Sequence, residues 1–125
     1  MVQLLFPDLS KRVLGACFTV HNALGPGLLE SAYEGALVIE LGCLGFSYKL
    51  QAVHPVYYRG QLACAYVADL VVEDTIIMEL KSVKELTSVM EAQPVNYLRL
   101  SKVPVGYLPN FNGSRVEWRR FVLGP

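Results

Sequence analysis

The sequence predicts a single α/β domain, and three observations carry that expectation. Apolar residues recur at helical spacing over roughly the first 42 positions; from Phe46 the period changes to two; and a further helix-period stretch near 88–101 separates the first strands from the last. The order is helices, an antiparallel run of strands, a helix, then strands. At 125 residues, the chain can build one substantial core without disulfide staples.

Each element has its own signal. Pro7-Asp8 suits a helix start, after which Leu9, Val13, Ala16, Cys17, Val20 and Leu24 share one face. The Gly25–Gly27 stretch "GPG" breaks that helix, and a second runs through "LLESAYEGALVIEL" with Gly42 as the expected stop. Strands are expected near 46–51, 53–59, 62–72 and 75–82, with turns at Arg59-Gly60-Gln61 and Glu73-Asp74. After the helix near 88–101, "VPVGYLPNF" and "VEWRRFVL" read as strands around Asn112-Gly113. No internal repeat, linker or low-complexity segment is evident.

Composition narrows the function. The chain is 53% hydrophobic and 18% charged, as expected of a folded globule. A formal net charge of zero argues against a strongly electrostatic nucleic-acid binder, though not against an enzyme that meets phosphates through a metal. Cys17, Cys43 and Cys64 are widely spaced and form no CxxC pair, as in a reduced protein. The opening residues do not resemble a signal peptide, and no stretch is apolar enough to span a membrane. A cytoplasmic location is therefore expected.

The chemistry concentrates in "DLVVEDTIIMELKS", residues 69–82. Glu79 and Lys81 are two apart and share one strand face, with Leu80 on the other, while Asp69 lies across the turn. Val71, Ile76, Ile77 and Met78 make the surroundings apolar, and a charge buried there needs a partner. A buried ion pair with Lys81 supplies one. A metal site supplies another, because two carboxylates suit Mg²⁺ or Mn²⁺. The residues alone leave both readings open. Glu30 and Glu34, one turn apart on the second helix with Tyr33 beside them, read either as a solvated face or as a polar stripe with a purpose. His21 reads as a satisfied core or rim histidine, His54 before Pro55 as part of an edge strand, and Tyr57, Tyr58, Tyr66 and Trp118 as core or cross-strand packing.

Three motifs together resemble a known family. Asp69 followed by Glu79-Leu80-Lys81 is similar to the Asp…Glu-x-Lys signature of the PD-(D/E)XK nuclease superfamily. "QPVNY", Gln93 to Tyr97, resembles the Gln-x-x-x-Tyr motif of RecB-type exonuclease domains. "GLLESAY", Gly27 to Tyr33, resembles the GxxExxY pattern that names a family of small proteins within that superfamily. The resemblance implies a restriction-endonuclease-like core, a central mixed sheet flanked by helices. It implies a Mg²⁺- or Mn²⁺-dependent nuclease acting on nucleic acid, DNA first. Glu30, Asp69 and Glu79 would be metal ligands together with the Leu80 carbonyl. Lys81 would orient or help deprotonate the attacking water, and Gln93 and Tyr97 would position the scissile phosphate or Lys81. The chain departs from the family pattern at Val67, Pro94 and Pro109. A catalytically silent nucleic-acid- or protein-binding module on the same fold is the alternative. The oligomeric state stays open, a homodimer included.

Overall fold

A computed structural model describes residues 6–124. Helix α1 (Pro7–Leu24) opens with proline at its first position, where an amide would have had no intrahelical acceptor and none of the helix's bonds is lost. Helix α2 is Glu30–Cys43. Its expected stop at Gly42 is displaced, because Gly42 stays helical and Gly45 takes the left-handed conformation (φ 80°). The Gly45 and Phe46 amides then donate to the Gly42 and Leu41 carbonyls, closing the helix with a Schellman pair.

The strands form one five-stranded sheet in the order β1 (Tyr48–Tyr58), β2 (Gln61–Val72), β3 (Ile76–Met78), β4 (Val105–Asn110), β5 (Glu117–Val122). The β3–β4 pair is parallel and the other three are antiparallel, so the sheet is mixed. Helix α3 (Ser88–Ser101) makes the crossover that a parallel pair requires. Thr87 caps it, its hydroxyl accepting from the Met90 amide.

Several expected boundaries move for physical reasons. The two strands expected at 46–51 and 53–59 are one, β1, in which Gln51 adopts φ 48° instead of breaking the strand. Leu50 pairs with Leu70 and Ala52 with Ala68, while Gln51 and Asp69 drop out of register together. The faces exchange there. Leu70 and Val72 point toward α1 and α2, whereas Ala68 packs with Tyr97 of α3. The strand expected at 75–82 is regular only to Met78, although residues 79–81 stay bonded to β4. Pro94 falls in the second turn of α3, so the helix carries an internal proline and lacks one backbone donor there.

Two cores hold the layers together. Val13, Cys17 and Val20 of α1 and Tyr33, Leu37 and Leu41 of α2 meet Leu70, Ile76, Met78, Leu80 and Phe111 on one face. On the other, Tyr97 and Leu98 of α3 meet Ala68, Val71 and Ile77. Both faces of the sheet are therefore buried at β3 and β4. The outer β1–β2 hairpin is not, and Tyr57, Tyr58 and Tyr66, expected to pack in the core or across strands, are exposed there. His54 does lie on an edge strand, β1. His21 is a satisfied core residue, its Nε2 2.9 Å from the Gly113 carbonyl. No described helix is long and apolar enough to cross a membrane.

Gly106 sets how closely α3 approaches the sheet. A Cβ at this position would sit 3.0 Å from Ile77 Cγ1 and 3.4 Å from Leu98 Cδ1. Gly106→Val should overpack this seam and destabilise the fold by about 1–3 kcal/mol, read as a lower urea midpoint. An unchanged midpoint would mean that α3 has room to spare.

Candidate active site

The site begins where β2 and β3 part. Continuing their register past Leu70–Met78 would set Ala68 opposite Leu80, amide to carbonyl. Instead the Leu80 amide donates to Asp69 Oδ2 at 2.8 Å, so a carboxylate stands where a strand would have continued. The other side of the same segment stays in the sheet. The Glu79 and Lys81 amides donate to the Tyr107 and Pro109 carbonyls, and Phe111 donates back to Lys81. An extended residue directs its amide and carbonyl the same way, so the Leu80 carbonyl faces the gap that Asp69 occupies.

The strand parity read from the sequence is present. Leu80 joins Met78 in the core under α1 and α2, which turns Glu79 and Lys81 toward the α3 side. Glu79 is only 6% exposed and Asp69 and Lys81 are half-buried. Burial pushes the Glu79 carboxyl up to about 8, with Asp69 and Glu30 adding to the rise and Lys81 opposing it. Burial raises Glu34 as well, followed by the charge of Asp69 and then of Glu30, against a hydrogen bond from Gln51. Asp69 and Glu30 thus act on both Glu79 and Glu34, and Lys81 acts on Glu79, which puts the five residues in one electrostatic neighbourhood. It lies where the central strands β2 and β3 part.

The loop before α2 is built to hold Glu30 at that neighbourhood. Gly25 and Gly27 both take φ 79°, a conformation that side chains disfavour. The Tyr33 hydroxyl donates to the Gly25 carbonyl at 2.6 Å and accepts from the Leu28 amide at 3.0 Å, while its ring stacks on Phe111 at 4.6 Å. The Ser82 hydroxyl donates to the Leu28 carbonyl, tying this loop to the segment just after Lys81. Glycine, glutamate and tyrosine at this spacing thus have separate tasks: a left-handed turn, a carboxylate at the helix start, and a pin for the loop.

Not every expected residue gathers here. Gln93 lies exposed on α3, and Glu30, though it acts on Glu79 and Glu34, is itself exposed. Tyr97 is buried, but its hydroxyl donates to the Ala52 carbonyl at 3.1 Å and its ring meets His54 edge-on. It fastens α3 to β1, and Glu79 is close enough to help raise its pKa after burial has done so. A groove of about 520 Å³ between α3 and β5, lined by Val95, Leu98, Arg99, Arg120 and Phe121, lies apart from the carboxylates. The two described ion pairs, Lys49–Asp74 and Glu91–Arg119, are also elsewhere.

Glu34, read from the sequence as one half of the Glu30 stripe, joins this neighbourhood. One contributor escaped the sequence reading. Asn110 gave no signal. It is buried, and its amide exchanges two hydrogen bonds with the Val83 backbone (2.9 and 3.0 Å), fixing the exit of the Lys81 segment against β4.

Among the described residues, no three His, Cys, Asp or Glu side chains stand close enough together to hold a metal ion. The donor chemistry nevertheless fits Mg²⁺ or Mn²⁺. Mg²⁺ commonly takes one or two carboxylates and keeps water for the rest, and Asp69, Glu79 and the Leu80 carbonyl are hard oxygen donors of that kind.

Two outcomes test this geometry. Asp69→Ala leaves the nearly inaccessible Leu80 amide without its acceptor and should cost about 1–3 kcal/mol. Asp69→Asn keeps an oxygen there and removes a repulsive charge, so its metal-free unfolding midpoint should equal or exceed wild type. A midpoint for the asparagine variant far below wild type would point to a buried ion network instead. The second outcome is pH dependence. A carboxyl raised from 4.5 to about 8 binds more protons folded than unfolded, so stability should fall as pH rises through that window. Glu79→Gln should flatten this slope and be the more stable protein at pH 8.5, by roughly 2–4 kcal/mol. Parallel stability curves for the two proteins from pH 5 to 8.5 would remove Glu79 as the cause.

The comparisons agree with this architecture. The solved structure of SSO0001 superposes with a TM-score of 0.54 at 18% identity, covering 70% of this chain and 46% of that one, a likeness of fold. The present chain thus corresponds to less than half the length of that protein. No curated protein matches the chain. The family profile of the PD-(D/E)XK nuclease superfamily matches residues 7–121, nearly the whole chain and every element described above. This chain belongs to the PD-(D/E)XK nuclease superfamily.

Proposed function

We propose that this protein is a Mg²⁺-dependent phosphodiester hydrolase acting on nucleic acid, DNA first, of the GxxExxY type. Membership of a nuclease superfamily supports the class. The observation that carries the reading is Glu79: an acid buried in an apolar strand, its charged form disfavoured by Asp69 and Glu30, with Lys81 on its own face. A protein gains nothing in stability from such crowding, which suits a site that awaits a cation.

In this reading Asp69, Glu79 and the Leu80 carbonyl hold the metal, and Glu30 adds charge from the start of α2. A bound divalent cation supplies a water acidic enough to attack at neutral pH and a clamp for charge developing on the phosphate. Lys81 orients that water and offsets the negative charge of the transition state. Gln93 and Tyr97 belong to the same α3 face, with Gln93 the one free to reach a phosphate and Tyr97 keeping the helix in place.

The internal Pro94 and the zero net charge favour a second reading, a catalytically silent binding module. One sample set separates the two. Lys81→Met keeps the aliphatic stem and removes the charge. It should bind Mn²⁺ within a few-fold of wild type, yet cleave labelled single- or double-stranded DNA about a hundred- to a thousand-fold more slowly. Glu79→Ala should lose both metal binding and cleavage. Wild type that binds Mn²⁺ but turns over no DNA or RNA would leave the silent module. Folded Lys81→Met cleaving as fast as wild type would take Lys81 out of the mechanism.

A further inference from the structure

One face of the outer half of the β1–β2 hairpin is covered by no helix. Its two faces are unlike. The pairs His54–Tyr66 and Val56–Cys64 lie on the side leaning toward α3, where the His54 ring meets Tyr97. On the opposite side, the pairs Val53–Val67, Pro55–Ala65 and Tyr57–Leu62 share one face, which a bulge after Val56 keeps continuous. All six residues are exposed. Val53, Tyr57, Leu62 and Val67 keep 47–64% of their surface open. No charged side chain stands among them, and Arg59 at the tip is the only charged residue from 53 to 67.

We propose that this face is the contact between two copies of the chain, which pair as a two-fold dimer through their hairpin arms. Three observations point to a second copy. The first is chemistry: apart from the Tyr57 hydroxyl the face is apolar and it carries no charge to meet a phosphate or a charged protein surface, while an identical uncharged face needs no charged partner. The second is size. Those exposures, with Pro55 and Ala65, amount to roughly 500 Å² per copy, so a two-fold pair that covers the whole face buries about 1,000 Å², the least that a specific interface needs. The third is support. A two-stranded ribbon is marginal alone, and a second ribbon on its bare face gives it the missing layer. Growth along the β1 edge is hindered, because Pro55 offers no amide and the left-handed Gln51 interrupts the strand. The arms therefore stack face to face in a closed pair. Running them antiparallel sets the two Arg59 guanidiniums at opposite ends.

Sedimentation equilibrium of the full chain tests this directly, with Leu62→Glu and Val53→Glu as face variants and Gln61→Glu as a control on the other face. Wild type and Gln61→Glu should show twice the chain mass at tens of micromolar, and both face variants the single mass. Far-UV circular dichroism should be unchanged, and the unfolding midpoint should rise with concentration for wild type but not for Leu62→Glu. A monomeric wild type, a dimeric Leu62→Glu, or a control that dissociates equally would each overturn the proposal. Wild type that is monomeric alone, and whose binding to an oligonucleotide is lost in Leu62→Glu, would reassign the face to nucleic acid. None of these readouts depends on cleavage, so the proposed hydrolase and the dimer stand or fall separately.

Discussion

The hydrogen bond from the Leu80 amide to Asp69 decides how the sheet is divided. Had β2 and β3 kept pairing beyond Leu70–Met78, Ala68 would have faced Leu80 and the ladder would have run on unbroken. By offering a side-chain oxygen in place of a main-chain one, Asp69 satisfies the amide while forcing the strands apart. The left-handed turn at Gln51 completes the separation, since it removes Asp69 from the β1 ladder as well. One residue therefore serves as backbone partner and as acid. The two tasks cannot be varied independently.

Around that gap, rigid elements fix what the carboxylates themselves would push apart. The parallel ladder to β4 holds the Glu79–Lys81 backbone from one side, and the Asn110 amide clamps Val83 just beyond it. Tyr33 and Ser82 hold the loop that leads to Glu30. Few of these supports are charged. The like charges of Glu30, Glu34, Asp69 and Glu79 are thus confined by packing and neutral hydrogen bonds, with Lys81 the main opposing charge. Such a concentration of like charge lowers folding stability rather than adding to it.

Much of this was legible in the sequence, for identifiable reasons. Pro7 marks its helix because proline is tolerated at a helix start, and α3 spans 88–101 as its period and flanking residues suggest. The shared face of Glu79 and Lys81 follows from strand geometry alone. Other features rest on interactions between residues far apart in the chain. That β3 and β4 are parallel cannot be read from apolar alternation, and only the family resemblance implied a mixed sheet. Gly45 in place of Gly42 as the helix stop depends on which glycine the Schellman pair selects. The exposed tyrosines of the hairpin look like core residues because periodicity reports a face, not what covers it. Asn110 is an ordinary strand residue until its contact across 27 positions is seen.

The open rims of the sheet have a bearing on how so apolar a chain stays dispersed. At one rim β1 lacks a donor at Pro55 and is bent at Gln51. At the other, β5 carries Glu117, Arg119 and Arg120, and Arg119 is drawn back to Glu91 of α3. A passing strand thus finds a broken template on one rim and a charged one on the other. Both discourage the open-ended, fibre-like addition to which flat, uninterrupted strands are prone.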